Sequence, residues 1–210
     1  MKQQRLLFLI FIALFSSYAS AQSFEITPSY GYQFGTKLNY GPNYIKMEDG
    51  GQFGINLAFE LQPSMMLDVS YYNMNSETRI RDVFIAPFER RLTDLNLDWF
   101  LIGATRYFKQ GPLKPFVGAG LGMVLISPEN ENLDIVNSSF SSETRFAFSF
   151  KAGVNYMFTD IVGINLQGNL FFPVNYGGFY FGSGGAGVNT GSTLIFGGFS
   201  GGLVFKIDTN

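Results

Sequence analysis

Phe146-Ala147-Phe148-Ser149-Phe150-Lys151-Ala152-Gly153-Val154-Asn155-Tyr156-Met157-Phe158 alternates throughout: every even position is apolar, while the odd ones include Ser149, Lys151, Gly153 and Asn155. A period of two sends one set to each face of a strand. Seven further stretches show the same alternation between Ser23 and Ile207. In a soluble protein a face this rich in Phe needs a covering layer. Repeated over eight segments, it fits a closed barrel with lipid outside and polar groups within.

The remaining strands are expected at Phe24 to Gly35, Gln52 to Leu61, Met65 to Met74, Thr93 to Phe108, Lys114 to Ile126, Ile161 to Phe172 and Thr193 to Ile207. Each has about the 9 to 11 residues that a tilted strand needs to cross a bilayer. Connections alternate. Those at Gln62-Pro63-Ser64, Lys109 to Leu113 and Thr159-Asp160 are short, whereas Thr36 to Gly51, Asn75 to Leu92, Ser127 to Ser142 and Pro173 to Ser192 are long. The chain is therefore read as all-β: an eight-stranded antiparallel up-and-down transmembrane barrel with short periplasmic turns and long extracellular loops.

In the fourth of these strands Leu95, Leu97, Trp99, Leu101 and Tyr107 are expected to face lipid. Centring the following turn on Gly111 then sets Phe100 and Ile102 inward over Gly122 and Gly120, and Tyr72 lies beside Gly54 by the same count. Aromatics near strand ends suggest two girdles. Phe24, Phe59, Tyr107, Tyr156, Phe158 and Phe205 form the periplasmic one, with Phe34, Phe53, Tyr71, Phe146 and Phe172 at the outer level.

The N-terminus reads as a secretory signal over residues 1–21. Lys2 and Arg5 precede an apolar core from Leu6 to Phe15, and Ala19-Ser20-Ala21 offers the cleavage site. The expected barrel domain spans 22–210. Without Lys2 and Arg5 it carries 12 basic and 16 acidic residues, a net charge of −4. That balance supplies no basic patch for nucleic acid. The chain has neither His nor Cys, so Ser-His and Cys-His nucleophile systems and His-ligated metal chemistry are excluded. No enzyme activity, cofactor or metal centre is expected.

Arg106-Tyr107-Phe108, Lys114-Pro115-Phe116-Val117-Gly118-Ala119-Gly120-Leu121-Gly122 and the closing strand Phe199-Ser200-Gly201-Gly202-Leu203-Val204-Phe205 resemble the small outer-membrane β-barrel domain family, which includes OmpA-transmembrane-like, OmpX-like and OmpW-like barrels. The resemblance implies residence in the cell outer membrane of a Gram-negative envelope. It also implies contact with outer-membrane lipid and lipopolysaccharide, handling by the barrel assembly machinery, and a monomer.

An eight-stranded interior is just wide enough to be filled by side chains. Glu25, Glu60, Asp68, Asp98, Arg106, Arg145 and Lys151 are expected inside as a charge cluster, with Arg106 paired to Asp68 or Glu60, because an unpartnered charge in so confined a space is costly. From Ile161 to Phe205 there is no charged residue. Tyr176, Phe179, Tyr180 and Phe181 in that stretch form a candidate contact loop. Loop two, with Glu77, Arg79, Arg81, Asp82, Glu89, Arg90, Arg91 and Asp94, reads first as solvated and self-paired, the alternative being that its arginines meet lipopolysaccharide phosphates.

Three functional readings follow. The first is a non-enzymatic outer-membrane barrel with a filled interior and surface loops in structural or interaction roles. The second is a narrow pore or transporter for small or hydrophobic solutes. The third is a soluble periplasmic lipocalin-like ligand-binding barrel, which requires the Phe stripe to face inward.

Overall fold

Alternation is realised as strand along nearly the whole chain. The computed structural model contains β1 (Ser23–Gln33), β2 (Thr36–Tyr40), β3 (Asn43–Met47), β4 (Gly50–Gln62), β5 (Met65–Asp82), β6 (Ala86–Tyr107), β7 (Leu113–Glu129), β8 (Glu143–Met157), β9 (Val162–Val174), β10 (Phe179–Gly182), β11 (Gly185–Val188) and β12 (Phe196–Asp208). It describes residues 23–208 except 85, 110, 134, 136–139, 175–178, 183–184 and 189–194; for 40, 179–182 and 185–188 it describes the backbone alone. The expected signal segment and Tyr176 lie outside the described residues.

Eight strands form a ring in the order β5-β4-β1-β12-β9-β8-β7-β6, and the β5–β6 pairing closes it. From Gly50 on β4 the pairing runs through Gln33, Gly198, Asn169, Lys151, Gly118, Thr105 and Met66 to Glu60, so the circuit closes ten residues from its start on the same strand. With strands about 4.8 Å apart and about 3.3 Å per residue, that stagger tilts the strands by roughly 40°.

The outward face is apolar. Phe148 and Phe150 are 43% and 53% exposed, and Leu166, Leu121 and Phe199 stand out in the same way. Inside lie Thr27, Ser29, Asp68, Asn155, Asn165 and Asn169, all buried. The Phe stripe faces away from the lumen, which overturns the soluble ligand-binding reading.

One strand departs from expectation. On β6, Leu97, Trp99 and Leu101 are buried in the lumen, while Phe100 and Ile102 are 49% and 58% exposed on the outer face. Leu101, not Phe100, pairs with Gly122, and Gly103, not Ile102, with Gly120. A one-residue change of register exchanges the two faces of a strand. Both faces of Trp99-Phe100-Leu101-Ile102 are apolar, so alternation alone does not orient this segment. Tyr107 follows the same parity: it turns inward rather than joining the periplasmic girdle. The expected Tyr72–Gly54 pairing is present, and a Cβ on Gly54 would lie 2.6 Å from the Tyr72 ring.

Connections expected as loops contain further strand. β5 and β6 run 18 and 22 residues, about twice what a crossing needs. At about 3.3 Å per residue and the tilt above, their hairpin rises roughly 15–25 Å beyond a ~25 Å apolar band. β3 pairs with β5 along this rise, and β2 with β3, making a raised sheet.

Candidate functional site

The lumen has two layers of opposite character. The periplasmic layer is a hydrogen-bonded polar network centred on Asp68, which is 3% exposed. Lys151 on β8 reaches across to it with Nζ 2.9 Å from Oδ1. Thr105 Oγ1 donates to Oδ2 at 2.7 Å, and the ammonium also donates to Asn56 Oδ1 at 3.2 Å. Gly118 makes room for the lysine, since a Cβ there would lie 2.7 Å from the Lys151 stem. Nearer the periplasm, Tyr107 Oη donates to Glu25 Oε2 at 2.7 Å and accepts from Asn155 Nδ2 at 2.8 Å; Asn165 continues the chain to Asn155 at 2.7 Å. Glu60 accepts from Ser23 Oγ at the rim, 2.6 Å away.

Two of the charges expected in the lumen are outside it. Asp98 shares the outer face with Phe100 and accepts from Tyr71 Oη at 2.7 Å and Asn73 Nδ2 at 2.8 Å. Arg106 stands exposed on the outer face of β6 and is not the partner of Asp68; Lys151 is. Both displacements follow from the β6 register. Arg145 lies at the outer end of the lumen, with Nη2 2.6 Å from Glu143 Oε2. The structure thus gathers Glu25, Asp68 and Lys151, with Glu60 at the rim. Sequence reasoning missed Thr105 and Tyr107, whose signal is their shared parity with inward Gly103.

Above this network lies an apolar layer, or septum, across the bore. Trp99 stacks against Phe171 with centroids 4.8 Å apart and meets Phe196 edge-on at 5.8 Å. Tyr72, Met74, Leu97, Leu101, Val124 and Ala147 complete the layer, each at most 3% exposed. Toward the periplasmic end the open space narrows from outside inward, beginning with a cavity of about 420 Å³ along the turns at Pro112 and Thr159. A cavity of about 240 Å³ at the periplasmic mouth, lined by Glu25, Glu60, Tyr107, Lys109, Lys114 and Lys206, gives way to voids of about 20 and 10 Å³ around Lys151. Voids of that size hold single waters.

The raised sheet separates charge from apolar side chains. Its inner face packs Ile80, Ala86 and Leu92 against Ile45 and Ile135. On its outer face Arg79 lies 2.7 Å from Glu77, 3.4 Å from Glu48 and 3.5 Å from Glu89, and Lys46 is 2.8 Å from Glu48. At its base Asp49 accepts from the Tyr32 hydroxyl and the Gly35 N–H, each at 2.6 Å. The Tyr32 hydrogen bond first, then the Gly35 N–H, hold the Asp49 carboxyl below its ordinary value; the Tyr44 hydroxyl, then Arg79, do the same for Glu89. A carboxylate whose folded value is depressed contributes stability above its unfolded value, and loses it as pH falls through the folded one. The raised sheet is therefore expected to be indifferent to pH between about 5 and 8 and to loosen only below about 4. The Gly35 amide resonance reports Asp49 directly. Its titration should centre below 3.8; a midpoint at or above that value removes the Asp49 contact from the account.

Residues 7–206 match the family model described as outer membrane protein beta-barrel domain. The chain belongs to this family. It is an integral outer-membrane β-barrel. Among solved structures it is similar to Neisserial surface protein A, with 18% identity, coverage of 88% of this chain and 97% of that one, and a TM-score of 0.60. It is also similar to the outer membrane protein OprG from Pseudomonas aeruginosa, with 12% identity, 90% and 97% coverage, and a TM-score of 0.65. At these identities the likeness is one of fold. A search of curated proteins found no match.

Proposed function

We propose that this family member is a non-enzymatic barrel, exported with a cleaved signal segment, that is closed along its axis and works through the sheet it raises above the outer membrane. The observation that carries this reading is the pairing of a sealed lumen with an over-long hairpin: Trp99, Phe171 and Phe196 fill the bore, while β5 and β6 continue well past the bilayer. Acyl-transfer and metal-assisted chemistry find no His or Cys to use, and among the described residues no group of three or more acidic side chains is placed to hold a metal. The outer face of the raised sheet carries Arg79 and Arg91, whose guanidinium groups, now shared with Glu77, Glu89 and Asp94, suit phosphates such as those of lipopolysaccharide.

Two measurements on the purified protein test this. In a planar bilayer the wild type is expected to give no stepwise conductance. Added lipopolysaccharide is expected to raise the temperature at which the fast-migrating unboiled gel form is lost, and Arg79→Gln with Arg91→Gln should abolish that rise. Steady channel openings, or an unchanged rise in the variant, count against the reading.

The narrow-pore reading keeps one supporting observation, the string of water-sized voids that ends under the septum. It requires the septum to yield.

A further inference from the structure

The tip of the β5–β6 hairpin combines features that the charged face does not use. Phe84 is 91% exposed and Phe88 83%, with Val83 beside them at 46%. These side chains lie beyond the apolar band of the barrel, at the far end of the raised sheet, so their own membrane does not cover them. The tip is also built rather than left loose. Asp82, 7% exposed, accepts the Phe84 N–H at 2.9 Å and Asn43 Nδ2 at 2.9 Å, and Asn43 Oδ1 accepts the Val83 N–H at 3.0 Å. An aspartate accepting from the backbone two residues on fixes a turn. Here it is braced by the neighbouring hairpin, which holds Phe84 out into water.

We infer that this tip is a membrane-docking element that inserts Phe84 and Phe88 into an apposed bilayer bearing anionic lipid. The shape is convex and narrow. Two exposed rings at a hairpin turn suit entry into the headgroup zone, where aromatic side chains are favoured. The charge supports the same occupant through Arg81: over residues 77–94 four arginines meet four acidic residues, and Arg79 and Arg91 are held by Glu77, Glu89 and Asp94, which leaves Arg81 to meet an anionic surface. Basic residues beside inserted aromatics add attraction to an anionic surface. Arg81 is exposed and forms no ion pair among the described residues, so its charge faces outward. The inference rests on the raised sheet being the working surface. It uses different residues from the lipopolysaccharide test, so each fails separately.

The experiment is co-flotation of the full chain, held in nanodiscs of zwitterionic lipid, with vesicles of phosphatidylcholine alone or mixed with phosphatidylglycerol. Wild type is expected to float with the mixed vesicles and much less with the neutral ones. Phe84→Ser with Phe88→Ser should cut the bound fraction roughly tenfold, and Arg81→Gln should cause a smaller loss that salt mimics. Because the chain has no cysteine, Phe84→Cys carries a single thiol for an environment-sensitive fluorophore, which should shift to the blue on the mixed vesicles. Unboiled gel migration confirms that each variant is folded. Wild type that stays unbound, a double serine variant that floats like wild type, or binding indifferent to anionic lipid overturns the proposal.

Discussion

Lys151→Met is expected to cost about 3–5 kcal/mol of barrel stability, the price of leaving one partner of a buried ion pair alone. The carboxylate it abandons, Asp68, is 3% exposed and would keep only Thr105 at 2.7 Å and Ser70 at 3.3 Å as donors. Two neutral hydroxyls do not replace a charge in a lumen walled by strands. Replacing both members, Lys151→Met with Asp68→Leu, removes the stranded charge and is expected to recover most of the loss, since apolar substitutes of similar volume are often neutral or better. Thr105 then loses its acceptor, which keeps the recovery incomplete. The measurement is the midpoint of the boiled-to-unboiled gel transition for wild type, each single variant and the pair. A Lys151→Met variant within about 1 kcal/mol of wild type would show that the lumen is wet enough to solvate Asp68, and the closed-interior account would fall.

The sequence was legible wherever one face of a strand was apolar and the other was not. Glu25, Thr27 and Ser29 on β1 and Asn165, Gln167 and Asn169 on β9 leave a single way to turn the strand. β6 lacks that contrast. Trp99, Phe100, Leu101 and Ile102 are all apolar, and only the pairing of Leu101 with Gly122 decides which two face lipid. Trp99 lies opposite Val124 and packs inside on Phe171 and Phe196, and the same parity carries Asp98, Arg106 and Tyr107 to the faces opposite those expected. The raised sheet had a readable signal that its charge concealed. Thr78 and Ile80 alternate with Glu77, Arg79 and Arg81 in strand fashion, yet so many charges suggest a solvated loop. The aromatic tip was hidden in the same way, because Phe84 and Phe88 sit between arginines whose pairing only the fold reveals.

Trp99→Ala should open the barrel. The indole is wholly buried and joins Phe171 and Phe196 across the bore, and truncating a packed tryptophan costs about 3–5 kcal/mol. The vacated space would lie directly above the void of about 10 Å³ that Tyr72, Leu101 and Phe171 share with Lys151. Joined to it, the septum no longer separates the polar layer from the extracellular end, so stepwise conductance is expected in a planar bilayer where wild type is silent. Trp99→Phe, which keeps a ring in place, should stay silent at smaller cost. Gln52 supplies the converse test. Its side-chain nitrogen and oxygen, like both polar atoms of Gln33, find no hydrogen-bond partner among the described residues, although the residue is only 1% exposed. An unsatisfied buried amide costs about 1–3 kcal/mol, so Gln52→Met is expected to raise the gel-transition midpoint and leave the barrel closed. A Trp99→Ala variant that stays silent would place the seal elsewhere. A less stable Gln52→Met would show that the amide is hydrated, and that the septum already admits water on its β4 side.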